Sequence, residues 1–165
     1  MVELYLIRHA IAEDRGEKWP DDTKRPLSAD GIARMRRAAR GLARLGVKFD
    51  VVLSSPLVRA RQTAEIVAAA FDPRPPIAIA DSLAPEGDND DVLGDLRKHA
   101  RRSRLALVGH EPNIGELGGR LAGSSTAFEF KKGAVCRIDI DRIPPAHPGT
   151  LRWFLTPGIL RAVRK

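Results

Sequence analysis

Two histidines and two arginines, each beside the end of a strand-like apolar run, are the residues of this sequence best suited to chemistry. Leu6-Ile7-Arg8-His9 closes one run, Leu53-Ser54-Ser55 closes a second with Arg59 one turn further on, and Val108-Gly109-His110 closes a third. A neutral imidazole at His9 can attack phosphorus and carry the phosphoryl group as a covalent intermediate. The guanidinium groups of Arg8 and Arg59 can each fork onto two phosphate oxygens, matching their charge and their spacing. At about 4 Å and an effective dielectric of about 20, one such contact has a Coulomb attraction of roughly 4 kcal/mol before desolvation. With His110 as a further donor, this set suits the equatorial oxygens of a phosphoryl group as transition-state charge builds on them. One Arg-His pair at a strand end is more often a surface or capping pair, and a lone His110 more often a satisfied loop residue. A solvated-loop account gives no reason for three strands to end this way.

These residues meet only if the fold brings the strand ends together. Val2–Ile7, Val51–Leu53, Ile77–Ile79 and Leu105–Val108 are rich in Val, Ile and Leu and read as buried strands. Between the first two, Ile32, Met35, Ala39, Leu42 and Leu45 recur at helical spacing after a cap at Ser28, and Gly46 ends the pattern. Ser55-Pro56 reads as cap and first-turn proline of a second helix, with Ala60, Ala64, Val67, Ala68 and Phe71 on its buried face. A third helix begins at Asp90 and Asp91 and runs to about Ala100, and Ile114–Ala122 make a fourth. Val135–Ile140 alternates apolar and polar like an edge strand, with Leu151–Leu155 after it. This alternation predicts one α/β domain over residues 1–165, a three-layer α/β/α sandwich with a mostly parallel sheet. In such a sheet the carboxyl ends of the parallel strands share one edge, where ligands bind. Arg59, in the first turn of its helix, then faces the same anion as the free amides there.

Composition narrows the classes. The 165 residues carry 28 Lys or Arg against 21 Asp or Glu, a net charge of +7, with 43% apolar residues, the balance of a globular chain. A chain of roughly 150 residues can bury close to 70% of its unfolded surface. The lone Cys136 cannot form an internal disulfide, which fits a reducing compartment. The longest apolar stretch, Ile66–Phe71, falls far short of the ~20 residues a membrane span needs. The N-terminus runs directly into Val2–Ile7 with no charged-then-apolar leader, so a cytoplasmic location is expected. Nothing in the pattern specifies an oligomeric state.

The segments Leu6-Ile7-Arg8-His9-Ala10, Ser55-Pro56-Leu57-Val58-Arg59-Ala60-Arg61-Gln62-Thr63-Ala64 and Val108-Gly109-His110 resemble the motifs of the histidine phosphatase superfamily, the phosphoglycerate-mutase-like fold. Arg25-Pro26-Leu27-Ser28, Leu83-Ala84-Pro85-Glu86-Gly87-Asp88 and Trp153-Phe154-Leu155-Thr156-Pro157 are similar to the SixA-type phosphohistidine phosphatases in particular, so the likeness covers nearly the whole chain. It implies that His9 accepts the phosphoryl group and that Arg8, Arg59 and His110 form the phosphate pocket; Arg25 is a candidate for its rim and otherwise a loop charge. It also implies a phosphate-bearing substrate, a phosphohistidine-containing protein in the narrower form. Ala10 departs from the family's usual glycine, and would be strained if the position required a positive φ.

Many relatives use a carboxylic acid to protonate the leaving group. Glu86, after the third strand, is the candidate and Asp88 the runner-up, although acids ahead of a helix are favoured there in any case. A phosphohistidine substrate relaxes the need, because imidazole leaves far more readily than an alkoxide. No metal or other cofactor is expected, since the sequence has neither a His/Asp/Glu cluster at ligand spacing nor a glycine-rich nucleotide loop. Cys136 and Arg142 match the Cys-x5-Arg spacing of cysteine phosphatases, but the residues between alternate apolar and acidic, a strand pattern that repels phosphate. Two other readings stand beside the protein phosphatase: the same chemistry on a sugar or glycerate phosphate, and a non-catalytic module binding phosphate or nucleic acid. Arg34, Arg36, Arg37, Arg40 and Arg44 share one helix and would serve the last, yet such runs are usually a solvated face. One tyrosine, two tryptophans and five phenylalanines, without a stacking-rich strand, argue against single-stranded nucleic acid.

Overall fold

In the computed structural model, which describes residues 1–164, the expected strand–helix alternation is present. The order is β1 (Val2–Arg8), α1 (Ala29–Arg44), β2 (Val51–Ser54), α2 (Val58–Ala68), β3 (Ile77–Ile79), α3 (Asn89–Arg97), β4 (Arg104–Gly109), α4 (Asn113–Leu121), β5 (Val135–Ile140), β6 (Thr150–Leu155) and α5 (Pro157–Ala162). The strands form one sheet ordered β3-β2-β4-β1-β5-β6. β1, β2, β3 and β4 pair in parallel, while β5 and β6 are antiparallel additions on the β1 side.

Strand side chains alternate between two apolar layers because successive Cβ atoms point to opposite faces. Leu4, Leu6, Leu105 and Leu107 face α3 and α4 through Val92, Leu96, Ile114 and Leu117. Tyr5, Ile7, Ala106 and Val108 face α1, α2 and α5 through Met35, Leu42, Ala64 and Leu160. Burying a side chain such as Leu42 stabilises by about 1.5–3 kcal/mol, which is why central strands read as continuous hydrophobic runs. Helix α1 starts as its sequence predicts, with Ser28 Oγ accepting the Gly31 N–H at 3.0 Å. It ends just before Gly46, whose φ of 75° suits a residue without Cβ.

Four expectations need correction. Ser55-Pro56 does not cap α2, which begins at Val58 with Leu57 in the cap position and no side-chain cap bond. Ser55 Oγ accepts the Leu57 N–H at 3.3 Å, ahead of the helix, and lies 2.8 Å from His110 Nε2. β5 is not an edge strand: β6 covers it, so it lies between β1 and β6. The edges are β3 and β6, and the residues of β3 are partly exposed rather than buried. Helix α3 stops at Arg97, and the chain continues through turns toward Arg101.

Candidate active site

The sheet order places β2, β4 and β1 side by side, so Ser54, Gly109 and Arg8 end at one edge. A cavity of about 350 Å³ opens there, and Arg8, His9, Arg25, Arg59 and His110 all line it. Residues 101 positions apart in sequence are therefore neighbours: the His9 and His110 rings lie 5.1 Å apart between centroids.

Both imidazoles are buried, His9 at 6% exposure and His110 at 4%. Desolvation penalises the cationic form, and the nearby guanidinium groups of Arg59 and Arg8 add to it. His9 is pushed down to about 4 and His110, with His9 also against it, to about 3. At neutral pH both rings are uncharged. His9 Nδ1 lies 2.7 Å from the Ala10 carbonyl, which can only accept, so Nδ1 carries the proton and Nε2 keeps its lone pair. His110 Nε2 lies 2.8 Å from Ser55 Oγ, and its Nδ1 has no partner.

The two arginines are anchored from behind. Arg59 donates through Nη1 to the Asp22 carbonyl at 2.8 Å and through Nη2 to its carboxylate at 3.0 Å. The other Asp22 oxygen accepts from Arg25 Nε at 2.8 Å, while Arg25 Nη1 donates to the Glu13 carbonyl at 2.7 Å. Arg25 is thus buried in the cavity wall, and its bonds tie down the loop between β1 and α1. Arg8 Nη1 donates to the Phe130 carbonyl at 2.6 Å, and the Phe130 N–H donates to Glu111 Oε1 at 3.0 Å. These anchors leave Nε of Arg8 and Nε of Arg59 buried without a partner. Among the described residues only four buried side-chain polar atoms lack one, and three of them belong to this cavity. A buried donor left unpaired costs about 1–3 kcal/mol, so the edge is built at the expense of stability unless an acceptor fills it.

The backbone around His9 is unstrained. No residue other than glycine has a positive φ among those described, so Ala10 carries no penalty in place of glycine. Its N–H donates to Thr63 Oγ1 at 3.0 Å, and that hydroxyl donates to the Arg59 carbonyl at 2.7 Å, joining the end of β1 to α2. Gly133, at φ 82°, turns the chain so that its N–H reaches the Arg8 and His9 carbonyls.

The structure does not bring Glu86 or Asp88 to this cavity. Glu86 is exposed, and only its neighbour Pro85 reaches the lining. Asp88 caps α3, accepting the Asp90 N–H at 2.6 Å. The carboxylates that do line the cavity are Glu13, Asp14 and Glu111. Burial raises the Glu111 carboxyl above the usual range, against the pull of the Phe130 N–H and Arg8. Sequence reasoning missed Glu111 and Asp22, and gave no site role to Ser55 or Thr63. Glu111 directly follows His110, the one signal that points to it. Cys136 is fully buried on β5 and its thiol is pushed up to about 12 by burial, so it stands apart from thiolate chemistry as expected.

The sequence pattern of the histidine phosphatase superfamily (branch 1) matches residues 4–87. An uncharacterized protein of Picosynechococcus is 42% identical over 81% of this chain and 82% of its own. Phosphohistidine phosphatase SixA of Escherichia coli is 26% identical over 99% of both chains. A structure of the protein histidine phosphatase SixA complexed with tungstate superposes with a TM-score of 0.85 at 26% identity, covering 96% of this chain and 99% of that one.

Proposed function

The chain belongs to the histidine phosphatase superfamily, and from that premise we propose that it hydrolyses phosphohistidine on a partner protein through a phosphoryl group carried on His9. The carrying observation is the set of three buried, unpartnered atoms, Arg8 Nε, Arg59 Nε and His110 Nδ1, around one cavity that also holds His9. The three side chains that carry these atoms all line the cavity, so a tetrahedral oxyanion held there would lie against each of them, and tungstate, bound by the SixA structure above, is such an ion. When Ser55 donates its hydroxyl proton to His110 Nε2, the ring keeps its proton on Nδ1 and offers a third donor to the anion.

In the first step His9 Nε2 forms a bond to phosphorus as the bond to the substrate nitrogen breaks. Arg8 and Arg59 hold the oxygens on which charge accumulates. Phosphorylation makes the His9 ring cationic, and the Ala10 carbonyl that accepts Nδ1–H opposes that charge. The departing imidazole takes up a proton from solvent water; for this leaving group the need for a positioned acid is small, which accords with Glu86 lying outside the cavity. In the second step a water oxygen bonds to phosphorus, the P–Nε2 bond breaks, and inorganic phosphate leaves with neutral His9 restored.

The test is to incubate the protein with phosphohistidine-labelled protein, quench, and search for an acid-labile, alkali-stable phosphoryl group on His9. It should be present in wild type and absent in His9→Ala, whose turnover should fall by at least about 10³-fold. Full turnover by His9→Ala would refute the mechanism. Turnover of sugar or glycerate phosphates in preference to phosphohistidine would refute the substrate class alone.

A further inference from the structure

Beside the phosphate cavity lies a second and wider one, about 660 Å³ against about 350 Å³. It runs between α1, α5 and the turn at Lys131–Gly133, and the two cavities share Arg8 and Lys132. Its apolar lining includes Ile11, Met35 and Pro157; Arg34, Lys131, Lys132 and Arg161 also line it, and no aspartate or glutamate does. Asp30 offsets Arg34 at 2.7 Å. Lys131, Lys132 and Arg161 form no ion pair among the described residues. A phosphoryl group needs only the smaller cavity, so this groove is available to the part of the substrate that does not react.

Resting on the phosphohistidine reading above, we propose that this groove docks an acidic, amphipathic segment of the partner protein adjoining its phosphohistidine. The match is one of charge and polarity: unpaired cations meet carboxylates, and the apolar lining takes the segment's apolar side chains. Binding energy gained so far from phosphorus can be used to orient the phosphoryl group against His9. This gives part of the +7 net charge a location and a use.

The test compares two phosphohistidine peptides of equal length, one with glutamates flanking the phosphohistidine and one with glutamines at the same places. Wild type should show about tenfold higher kcat/KM on the glutamate peptide, with the advantage fading as salt screens the contact. The double variant Lys131→Glu/Arg161→Glu should lose or invert that preference. Its turnover of p-nitrophenyl phosphate, which needs no groove, should stay within about twofold of wild type and so also reports an intact fold. Equal rates on the two peptides in wild type, or a preference that survives both salt and the double variant, would overturn the groove alone. Failure to turn over either peptide while p-nitrophenyl phosphate is hydrolysed would overturn the phosphohistidine reading and the groove with it.

Discussion

Around Asp139 and Asp50, near the amino-terminal end of β1, every carboxylate oxygen has a partner, whereas around His9, at the other end of the same strand, buried donors go without. Arg137 forks onto both Asp139 oxygens at 2.8 and 3.1 Å, and Arg152 reaches one of them at 2.7 Å. Asp50 accepts from the Arg104 side chain and from two backbone amides. At the His9 end the guanidinium groups are anchored through Nη, Arg8 by one bond and Arg59 by two, yet each keeps a buried Nε–H with nothing to accept it. Arginine serves both ends. Saturation marks the structural end, and incomplete saturation marks the end that waits for an anion. The second arrangement tolerates a local cost because a bound ligand can recover it.

Mutation of one arginine at each end should break this symmetry most sharply. Arg59→Ala removes a phosphate donor and should lower kcat/KM by about 10²–10³-fold. Stability should fall by less than at the saturated end, because the lost bonds to Asp22 are offset in part by removal of an unpaired buried donor and Asp22 keeps Arg25. At the saturated end Asp139→Ala removes the shared partner of Arg137 and Arg152, leaving Arg137 only Glu3 at 3.0 Å, and should cost about 1.5–3 kcal/mol in urea unfolding while turnover stays near wild type. A variant pair in which stability and activity fell together at both ends would dissolve the contrast.

Acidification should separate the ends by pH window. Burial lowers the folded-state pKa of His9 from 6.5 to about 4, so the unfolded chain takes up the proton first. Stability then falls as pH drops from about 6.5 toward 4, by on the order of 3 kcal/mol for this residue. His110, lowered to about 3, extends the same loss to lower pH. The Asp139 carboxyl is also shifted down, because the pull of Arg137 and Arg152 outweighs the cost of burial, but it starts from the ordinary carboxylate range rather than from that of an imidazole. Its contribution is complete above the ordinary carboxylate pKa and is lost only below it. Urea titrations across pH 4–7 should therefore show a slope that His9→Asn reduces and Asp139→Asn leaves in place.

The smallest effect should come from Glu111, whose hydrogen-bonded link to Arg8 runs through the Phe130 peptide. Glu111→Ala removes the acceptor of the Phe130 N–H and should raise KM by about tenfold, or ~1.4 kcal/mol. Glu111→Gln keeps an oxygen for that N–H and should stay close to wild type. Equal losses in the two variants would show that the charge near Arg8, rather than the position of Phe130, is what matters.

The expectations drawn from residues near one another in sequence succeeded where chain-local physics decides. The Ser28 cap, the Gly46 stop and the parallel strand runs depend on backbone donors and side-chain periodicity within a few residues. The convergence of Arg8, His9, Arg59 and His110 was also legible, because parallel strands must end at a common edge. Ser55 was misread as a cap since its partner, His110, lies 55 positions away. Glu86 sits at the expected place in the chain, but the turn before α3 leaves it in solvent while Pro85 lines the cavity.

The sequence by itself determined the strand–helix order, the two faces of the sheet, the likeness to histidine phosphatases and the residues that meet at the sheet edge. Tertiary structure alone decided which atoms of those residues remain free. Asp22 takes the Nη groups of Arg59, the Phe130 carbonyl takes Arg8, and the Ala10 carbonyl fixes the proton on His9 Nδ1. Residue type gives the number of donors, but which of them are already bonded depends on packing between segments as far apart as Arg8 and Phe130. No local periodicity records a contact across 122 positions, and at this site that contact helps determine which guanidinium face is left for phosphate.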